Sequence, residues 1–197
     1  TIEKPVPPNS ERISLVRRSS WKGFSKTRLI AAIEDRRSHR RFSTEPLTVE
    51  ELSFLLWATQ GIRALASDST AFRTVPSAGC RHALETYACA LNVTDLEPGI
   101  YRYLPVEHEL LVVSREQNLA TTLSKATLGQ TFIGKSAAAF VWTAVPYRME
   151  WRYHIASHKV IALDAGHVCQ NLYLVCAAVG CGTCAVAAYH QELMDRL

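Results

Sequence analysis

The spacing of hydrophobic and polar residues predicts a succession of helices. Apolar residues three and four positions apart, as at Leu52 and Leu55, form one face of a helix. Thr48 and Glu51 have the spacing of a capping box at the start of that helix, and Gly61 is placed to end it. The same criterion predicts helices at residues 27–35, 118–128 and 157–179 and a last helix that begins near Gln191.

Alternating and continuous apolar stretches predict strands. Residues 84–93 alternate, and residues 100–104 and 109–113 follow the Pro98-Gly99 turn as a strand pair. Residues 137–145 are almost continuously apolar, which predicts a strand that is buried on both faces. Residues 61–77 are polar and rich in turn formers, so we predict a loop there.

The order of these elements indicates the architecture. Helices are mixed with hairpin strands, and the helix at 157–179 is apolar on most sides, so we expect it at the centre. This arrangement predicts the α+β class, as a sandwich of a sheet and helices. Residues 1–14 contain three prolines and are expected to form an extended N-terminal arm. Residues 15–197 show no repeat and no change of composition, which predicts a single domain.

Composition and charge narrow the functional classes. Of the 197 residues 48% are hydrophobic and 20% are charged, which is enough apolar material for a packed core. The net charge of +4 suits an anionic small molecule better than a nucleic acid, which needs a longer basic stripe. No run reaches the roughly 18 to 20 apolar residues of a membrane span, and no signal-peptide core is present. We therefore expect a cytoplasmic protein.

The cysteines and histidines do not have the spacing of a metal site. Six cysteines are present, and four of them lie in one strongly apolar stretch, where they act as small hydrophobic residues. Cys181 and Cys184 form a CxxC pair, but zinc needs further ligands, and a thioredoxin-like dithiol should begin a helix after a strand. His154, His158 and His190 lack the spacing of metal ligands. We predict no metal ion.

The polar segment with the clearest chemistry is RRSHRRF, at residues 36–42. Arginine offers a planar fork of donors that fits phosphate oxygens, and Ser38 adds a hydroxyl group. Four cations this close together repel one another unless an anion neutralises them. The alternative is a solvated basic turn that compensates the negative C-terminal end of the preceding helix. The segment is either an anion site or such a turn.

Five motifs together resemble one enzyme family. In chain order they are RRSHRRF, PLTVEELSFLLWATQGI, PSAGCRHALE, PGIYRYLPVEHEL and LDAGHVCQNLYLVCAAVGCGT. Over residues 13–190, their order and spacing resemble the flavin-dependent nitroreductases, and specifically their SagB/ThcOx-like dehydrogenase branch. The resemblance implies a nitroreductase-like sandwich, in which a central and mainly antiparallel sheet is flanked by helices around a long buried helix.

The resemblance also implies a cofactor and an assembly. Members of this family bind FMN and are usually homodimers, with two flavins at the subunit interface. The residues implied for the FMN phosphate and ribityl hydroxyls are Arg36, Arg37, Ser38 and Arg40. Those implied to cover the flavin ring from the other subunit are Pro76, Ser77, Ala78 and Cys80. A strand of Ala185, Val186, Ala187 and Ala188 is implied to turn its backbone N–H groups toward the flavin edge.

The activity that the resemblance implies is electron transfer through FMN. NADH or NADPH would be the electron donor, and a nitroaromatic, a quinone or a similar flat molecule would be the acceptor. Arg152 and Tyr153 are candidates for the substrate pocket, and no catalytic residue is predicted. Members that oxidise azolines carry Lys-Tyr at this place, and arginine is a poor base because it keeps its proton near neutral pH.

Several alternatives stay open at this stage. The protein could be an azoline-type peptide dehydrogenase, or a non-catalytic flavin-binding protein that has kept the fold. A nucleic-acid-binding module rests on RRSHRR alone. On the long helix, His167 is expected to be a hydrogen-bonded core residue or to support a dimer seam. Gln170 and Asn171 are expected to tie that helix to a neighbouring backbone.

Overall fold

The computed structural model of this chain describes residues 1–22, 24, 28–67 and 69–197. The strands are β1 (Arg12–Ser14), β2 (Ile62–Ser67), β3 (Thr70–Arg73), β4 (Leu84–Ala90), β5 (Gly99–Leu104), β6 (Glu109–Ser114) and β7 (Ala138–Ala144). The helices are α1 (Leu29–Asp35), α2 (Val49–Gln60), α3 (Leu119–Ala126), α4 (Tyr147–Tyr153), α5 (Ser157–Val179) and α6 (Gln191–Asp195). The predicted start of the first helix at residue 27 lies outside the described residues.

The sheet confirms the predicted α+β class. Five antiparallel strands follow the order β1-β6-β5-β4-β7, and helices cover both faces. On one face, Leu52 and Leu56 of α2 pack against Tyr101 of β5. On the other face, Leu119 and Leu123 of α3 pack against β4 and β5. Successive residues of a strand point to opposite faces, so β4 contributes to both cores.

Local sequence signals place α2 as predicted. The Thr48 Oγ1 atom accepts a hydrogen bond from the Glu51 backbone N–H at 3.1 Å, and the Glu51 carboxylate accepts one from the Thr48 backbone N–H at 2.7 Å. These two bonds form the capping box and satisfy donors that the first turn of a helix leaves free. The helix ends at Gly61, and the Leu52, Leu55 and Leu56 side chains are buried.

The long helix α5 covers the predicted residues but is buried along one face only. Its buried residues include Asp164, Val168, Leu172 and Cys176, which recur at helical spacing. Its opposite face is open within the chain, with Leu163 58% exposed. The single chain therefore buries less of this helix than the sequence predicts.

One helical stretch, Tyr147–Val179, is long and apolar enough to cross a membrane, judged by length and composition alone. Only 22% of its most apolar part is buried inside the chain. The core helix of a globular protein can have the same length and composition. Because α5 packs against α2 and carries the buried carboxylate of Asp164, its inner face belongs to the protein core.

Three local predictions are wrong. Residues 61–77 are not a loop throughout, because β2 and β3 pair there as an antiparallel hairpin. Strand β7 is at the edge of the sheet and is only partly covered, so it is not buried on both faces. Residues 185–188 form no strand, and a single bridge between Ser38 and Thr183 takes the place of a ladder.

The N-terminal arm lies across its own sheet. The Arg73 guanidinium donates to the Ile2 carbonyl at 2.6 Å, and the Arg102 guanidinium donates to the Lys4 carbonyl at 3.0 Å. The Lys4 backbone N–H donates to the buried Glu85 carboxylate at 2.8 Å. The arm ends in β1, which pairs with β6, so its last residues are part of the sheet.

Candidate functional site

The arginine segment begins where α1 ends. Arg36 is the C-cap residue of α1, and the side chains of Arg36, Arg37, Ser38 and Arg40 are all exposed. None of the three arginines forms an ion pair with a carboxylate among the described residues. Exposed guanidinium groups without carboxylate partners, beside a serine hydroxyl, have the donor chemistry that phosphate requires.

Tyr173 of α5 joins this segment to the residues that follow α5. The Tyr173 hydroxyl lies 2.8 Å from Ser38 Oγ, and it accepts a hydrogen bond from the Ala185 backbone N–H at 2.8 Å. The His39 backbone N–H donates to the Thr183 carbonyl at 2.9 Å. The structure therefore brings two of the predicted FMN-binding segments side by side.

Close approach of the two segments depends on Gly182. A Cβ atom at this position would lie 2.6 Å from the His39 ring, which is far inside van der Waals contact. The glycine therefore allows the backbone to pass directly over the imidazole. Gly182 lies between Cys181 and Cys184, the CxxC pair that was considered above as a zinc site or a redox dithiol. No cluster of metal-ligating side chains occurs in the part of the chain that the structure describes.

The segment 185–188 presents backbone donors without being a strand. The Ala185 N–H is used internally by Tyr173, so it does not face outward as the sequence analysis expected. The N–H groups of Val186, Ala187 and Ala188 have no acceptor among the described residues. Gln130 fixes the end of the segment, since its side-chain amide donates to the Ala188 carbonyl at 3.1 Å. The segment thus has three free donors that a ligand could use.

The 76–80 turn lies beside the two predicted substrate-pocket residues. Gly79 has a φ of +58°, and a Cβ atom on it would lie 2.7 Å from the Tyr153 hydroxyl and 3.3 Å from Arg152 Nε. The tertiary structure therefore brings together Arg152, Tyr153 and the turn, although more than 70 residues separate them in sequence. Arg152 is exposed and Tyr153 is half-buried.

Hydrogen bonds hold this turn in an unusual backbone conformation. The Ala78 backbone N–H donates to Asp164 Oδ1 at 3.1 Å, and the His82 backbone N–H donates to Ser77 Oγ at 2.8 Å. The Cys80 thiol donates to the Ala71 carbonyl at 3.3 Å, so it is engaged within its own chain. Cys80 and His82 also have positive φ angles, which residues with a Cβ adopt rarely.

The 76–80 turn lies beside a neutral histidine and a stacked arginine, unlike the exposed arginine segment. Burial and the nearby positive charge of Arg73 lower the pKa of His82 to about 4, so this imidazole is neutral near pH 7. The Arg81 guanidinium lies 4.3 Å from the centroid of the Trp151 ring, a cation–π arrangement. The turn therefore lies beside an aromatic ring and carries no histidine charge near pH 7.

The two groups of residues are separated along α5. Asp164, which holds the turn, and Tyr173, which holds the arginine segment, are nine residues apart, or about 14 Å along a helix. Two cavities, of about 500 and 340 Å³, lie elsewhere, at the N-terminal arm and at the C-terminal helix. No predicted site residue lines either of them.

Other predictions on α5 have mixed outcomes. The Asn171 side chain donates to the Ala58 carbonyl at 2.9 Å, which confirms the expected tie to a neighbouring backbone, whereas Gln170 is exposed and forms no such hydrogen bond among the described residues. His167 is exposed, so the expectation of a core histidine is wrong. Gly166 has no atom within 4 Å of where its Cβ would lie, so no neighbouring helix approaches it within the described residues.

Sequence reasoning missed the role of Tyr173. This tyrosine lies within an apolar helix, where an aromatic residue is expected to pack in the core. Its hydroxyl could have been noticed as a polar group that needs a partner when partly buried. The identity of that partner could not have been found, because Ser38 is 135 residues away.

The comparisons with known proteins agree with this geometry. Residues 33–197 match the model of the nitroreductase family. A Methanocaldococcus jannaschii protein named as a nitroreductase is 34% identical over 157 residues, which cover 80% of this chain and 77% of the relative. The trifolitoxin operon protein TfxC of Rhizobium leguminosarum is 25% identical, and its match covers 84% of this chain and 50% of that relative.

Solved structures give the same result. The structure of a Ralstonia eutropha protein described as a nitroreductase has a TM-score of 0.69 and 27% identity, and covers 90% of this chain and 76% of that one. A chain of the E. coli microcin synthetase McbBCD complex has the same fold, with a TM-score of 0.66 at 22% identity; the match covers 100% of this chain and 77% of that one. The fold and the family match thus define a nitroreductase-like oxidoreductase. The chain belongs to the nitroreductase family.

Proposed function

We propose that this protein is an FMN-dependent oxidoreductase that takes electrons from NADH or NADPH. The observation that carries the proposal is the junction at Tyr173, which places exposed arginines with no carboxylate partner among the described residues beside a segment with free backbone donors. A phosphate group and the edge of a flavin ring need these two kinds of donor. Bound FMN would supply the hydride chemistry, and the protein residues supply position and charge.

The binding residues divide into two sets. Arg36, Arg37, Ser38 and Arg40 bind the phosphate and ribityl hydroxyls through charge-assisted hydrogen bonds. The N–H groups of residues 186–188 donate to the polar edge of the ring. The alanine side chains at 187 and 188 are small, which allows the backbone to approach a flat ring closely.

The second half of the site comes from another copy of the chain in this proposal. Pro76, Ser77, Ala78 and Cys80 of the partner subunit cover the flavin ring. Two observations favour a homodimer: one face of α5 is uncovered, and Leu29, Ile30 and Ile33 of α1 are between 55% and 70% exposed. Contiguous apolar surface on a helix is normally covered by another part of the protein or by a partner. A homodimer in the cytoplasm, with no membrane or nucleic-acid partner, completes the proposal.

The acceptor is a flat molecule such as a nitroaromatic or a quinone. Arg152 and Tyr153 lie against the 76–80 turn, where they would border a molecule stacked on the flavin. Hydride transfer from nicotinamide to flavin needs no protein base, so the absence of an assigned catalytic residue is compatible with this activity.

A second candidate function is dehydrogenation of peptide azolines. The matches to the trifolitoxin operon protein TfxC and the trifolitoxin-processing protein TfxB favour it, as does the likeness to the microcin synthetase complex. The chain spans only 50% and 36% of the two trifolitoxin proteins. Arg152 is the residue that opposes this candidate, because a guanidinium group cannot act as the base that a lysine provides.

The visible spectrum of the purified protein tests the proposal. We expect a flavin absorbance band that survives gel filtration, is released by acid as FMN, and is bleached by NADH or NADPH under anaerobic conditions. A colourless protein that cannot be loaded with FMN would refute the function. Bound FMN that neither nicotinamide reduces would indicate the non-catalytic flavin-binding alternative. Sedimentation at micromolar concentration should give a dimer.

A further inference from the structure

The Tyr173 hydroxyl is at the centre of a short chain of hydrogen bonds. It contacts Ser38 Oγ at 2.8 Å and the Ala185 backbone nitrogen at 2.8 Å. The carbon of the Arg36 guanidinium lies 5.3 Å from the centroid of the same ring, in a cation–π arrangement. One side chain of α5 thus contacts the predicted phosphate segment twice and the predicted flavin-edge segment once.

Chemistry fixes the direction of one of these hydrogen bonds, and the other can run either way. A backbone N–H can only donate, so the Tyr173 oxygen accepts from Ala185. Between Ser38 and Tyr173 either hydroxyl can donate; with Tyr173 as the donor, its proton goes to Ser38 Oγ, the acceptor within reach among the described residues. In that arrangement the proton of Ser38 is free to be donated to a bound anion.

We propose that Tyr173 is a positioning residue, which orients the Ser38 hydroxyl as a donor to the phosphate group of the cofactor. This inference rests on the proposed function. Without Tyr173, Ser38 could turn its proton toward the protein and present only lone pairs, which a phosphate oxygen would repel. Tyr173 also accounts for the inward-facing Ala185 N–H, which leaves the remaining N–H groups of the segment for the ring.

A double-mutant cycle read with two ligands tests the proposal. The proteins are the wild type, Tyr173→Phe, Ser38→Ala and the double variant, titrated with FMN and with riboflavin, which lacks the phosphate. Tyr173→Phe keeps the ring under Arg36 and removes only the hydroxyl. Tyr147→Phe is the control, because Tyr147 is 77% exposed on α4 and its hydroxyl has no partner among the described residues.

The expected result is a coupling that depends on phosphate. Tyr173→Phe should weaken FMN binding about tenfold when Ser38 is present, the size of one hydrogen bond to a charged group. In the Ser38→Ala background it should weaken FMN binding about twofold or less, and with riboflavin no coupling should appear. If the effects of Tyr173→Phe and Ser38→Ala on FMN affinity simply multiply, or if the two substitutions are coupled equally with riboflavin, the proposal is overturned. Tyr173 would then have a general structural role.

A measurement on the wild-type protein keeps the test independent of the variants. The Ala185 amide should be protected from hydrogen exchange equally with and without FMN, because its N–H donates a hydrogen bond to the Tyr173 hydroxyl in both states. Protection that appears only with FMN would contradict the assignment. If wild-type protein binds no flavin at all, the proposed function fails at the first titration. If FMN binds tightly but the cycle shows no coupling, only the inference about Tyr173 fails.

Discussion

Asp164, in the middle of α5, accepts a hydrogen bond from the backbone N–H of Ala78, with 3.1 Å between nitrogen and Oδ1. The carboxylate is 4% exposed, and its Oδ2 atom has no hydrogen-bond partner among the described residues. This contact fixes the 76–80 turn to the helix that also carries Tyr173. Both predicted parts of the flavin site are therefore hydrogen-bonded to the same helix, α5.

Removal of the Asp164 carboxylate should loosen the turn. In Asp164→Ala the Ala78 N–H loses its acceptor in a buried place, so the free energy of unfolding should fall by about 1–3 kcal/mol. Asp164→Asn keeps a side-chain carbonyl for the same bond and should recover most of the loss. Denaturant unfolding of both variants measures the difference. Equal losses in the two variants would mean that the hydrogen bond contributes little.

The arginine segment should determine FMN affinity. Arg37→Ala and Arg40→Ala should each weaken FMN binding roughly ten- to a hundredfold, because each removes charge-assisted hydrogen bonds to phosphate worth about 1.5–3 kcal/mol. Arg196→Ala is the control, since that exposed arginine only pairs with Glu192 on the last helix. Fluorescence titration with FMN measures the affinities. If the first two variants match the control, the phosphate assignment is wrong.

Substitution of Gly79 by alanine should disturb the Tyr153 side chain beside it. Alanine at Gly79 would place its Cβ 2.7 Å from the Tyr153 hydroxyl, whereas Gly129 has a φ of +78° and no atom within 4 Å. Both substitutions bear the cost of a left-handed conformation, about 1 kcal/mol. Only Gly79→Ala should also displace Tyr153 and raise the KM for the electron acceptor. An unchanged KM would place Tyr153 outside the substrate pocket.

Arg152 should decide between the two candidate reactions. Aromatisation of a thiazoline requires a base that takes a ring proton while a hydride leaves, and a guanidinium with a pKa above ~12 is a poor base. The wild type should oxidise NADH or NADPH with a quinone or nitroaromatic acceptor and leave a thiazoline peptide unchanged. Arg152→Lys should gain thiazoline oxidation, and Arg196→Lys should not. Conversion of thiazoline to thiazole by the wild type would favour the peptide dehydrogenase.

His82 should make the fold sensitive to acid. Burial, with the charge of Arg73 added, lowers its pKa from 6.5 to about 4 in the folded state. The neutral form is therefore favoured by folding, and this stability is complete above pH 6.5 and is lost as pH falls toward 4. From pH 7.5 to 5 the free energy of unfolding should decrease by about 2 kcal/mol through this residue.

A comparison with His82→Asn isolates that contribution. Asparagine tolerates the positive φ of +47° at this position and does not titrate. Glu3 acts in the opposite direction over the same range, because burial raises its pKa to about 7. The difference between wild type and variant removes the effect of Glu3. A difference that stays constant from pH 7.5 to 5 would show that His82 titrates normally.

The sequence by itself determined the elements with local signals. The limits of α2 follow from Thr48, Glu51 and Gly61, because a capping box and a terminal glycine act within one turn of helix. The extent of α5 and the positions of β4, β5 and β6 follow from hydrophobic periodicity. The order of the five motifs indicated the family, and the family model and relatives confirmed it.

Only the tertiary structure decided which distant groups meet. The hairpin of β2 and β3 was missed because its sequence is polar and rich in turn formers, and one of its polar side chains has a partner far away: the Arg73 guanidinium bonds to the Ile2 carbonyl as well as to Gln60. The segment 185–188 was expected to be a strand, yet the Ala185 N–H bonds to the Tyr173 hydroxyl instead of to a neighbouring strand. Periodicity reports which face of an element is apolar, but a polar group's partner depends on how the whole chain is packed.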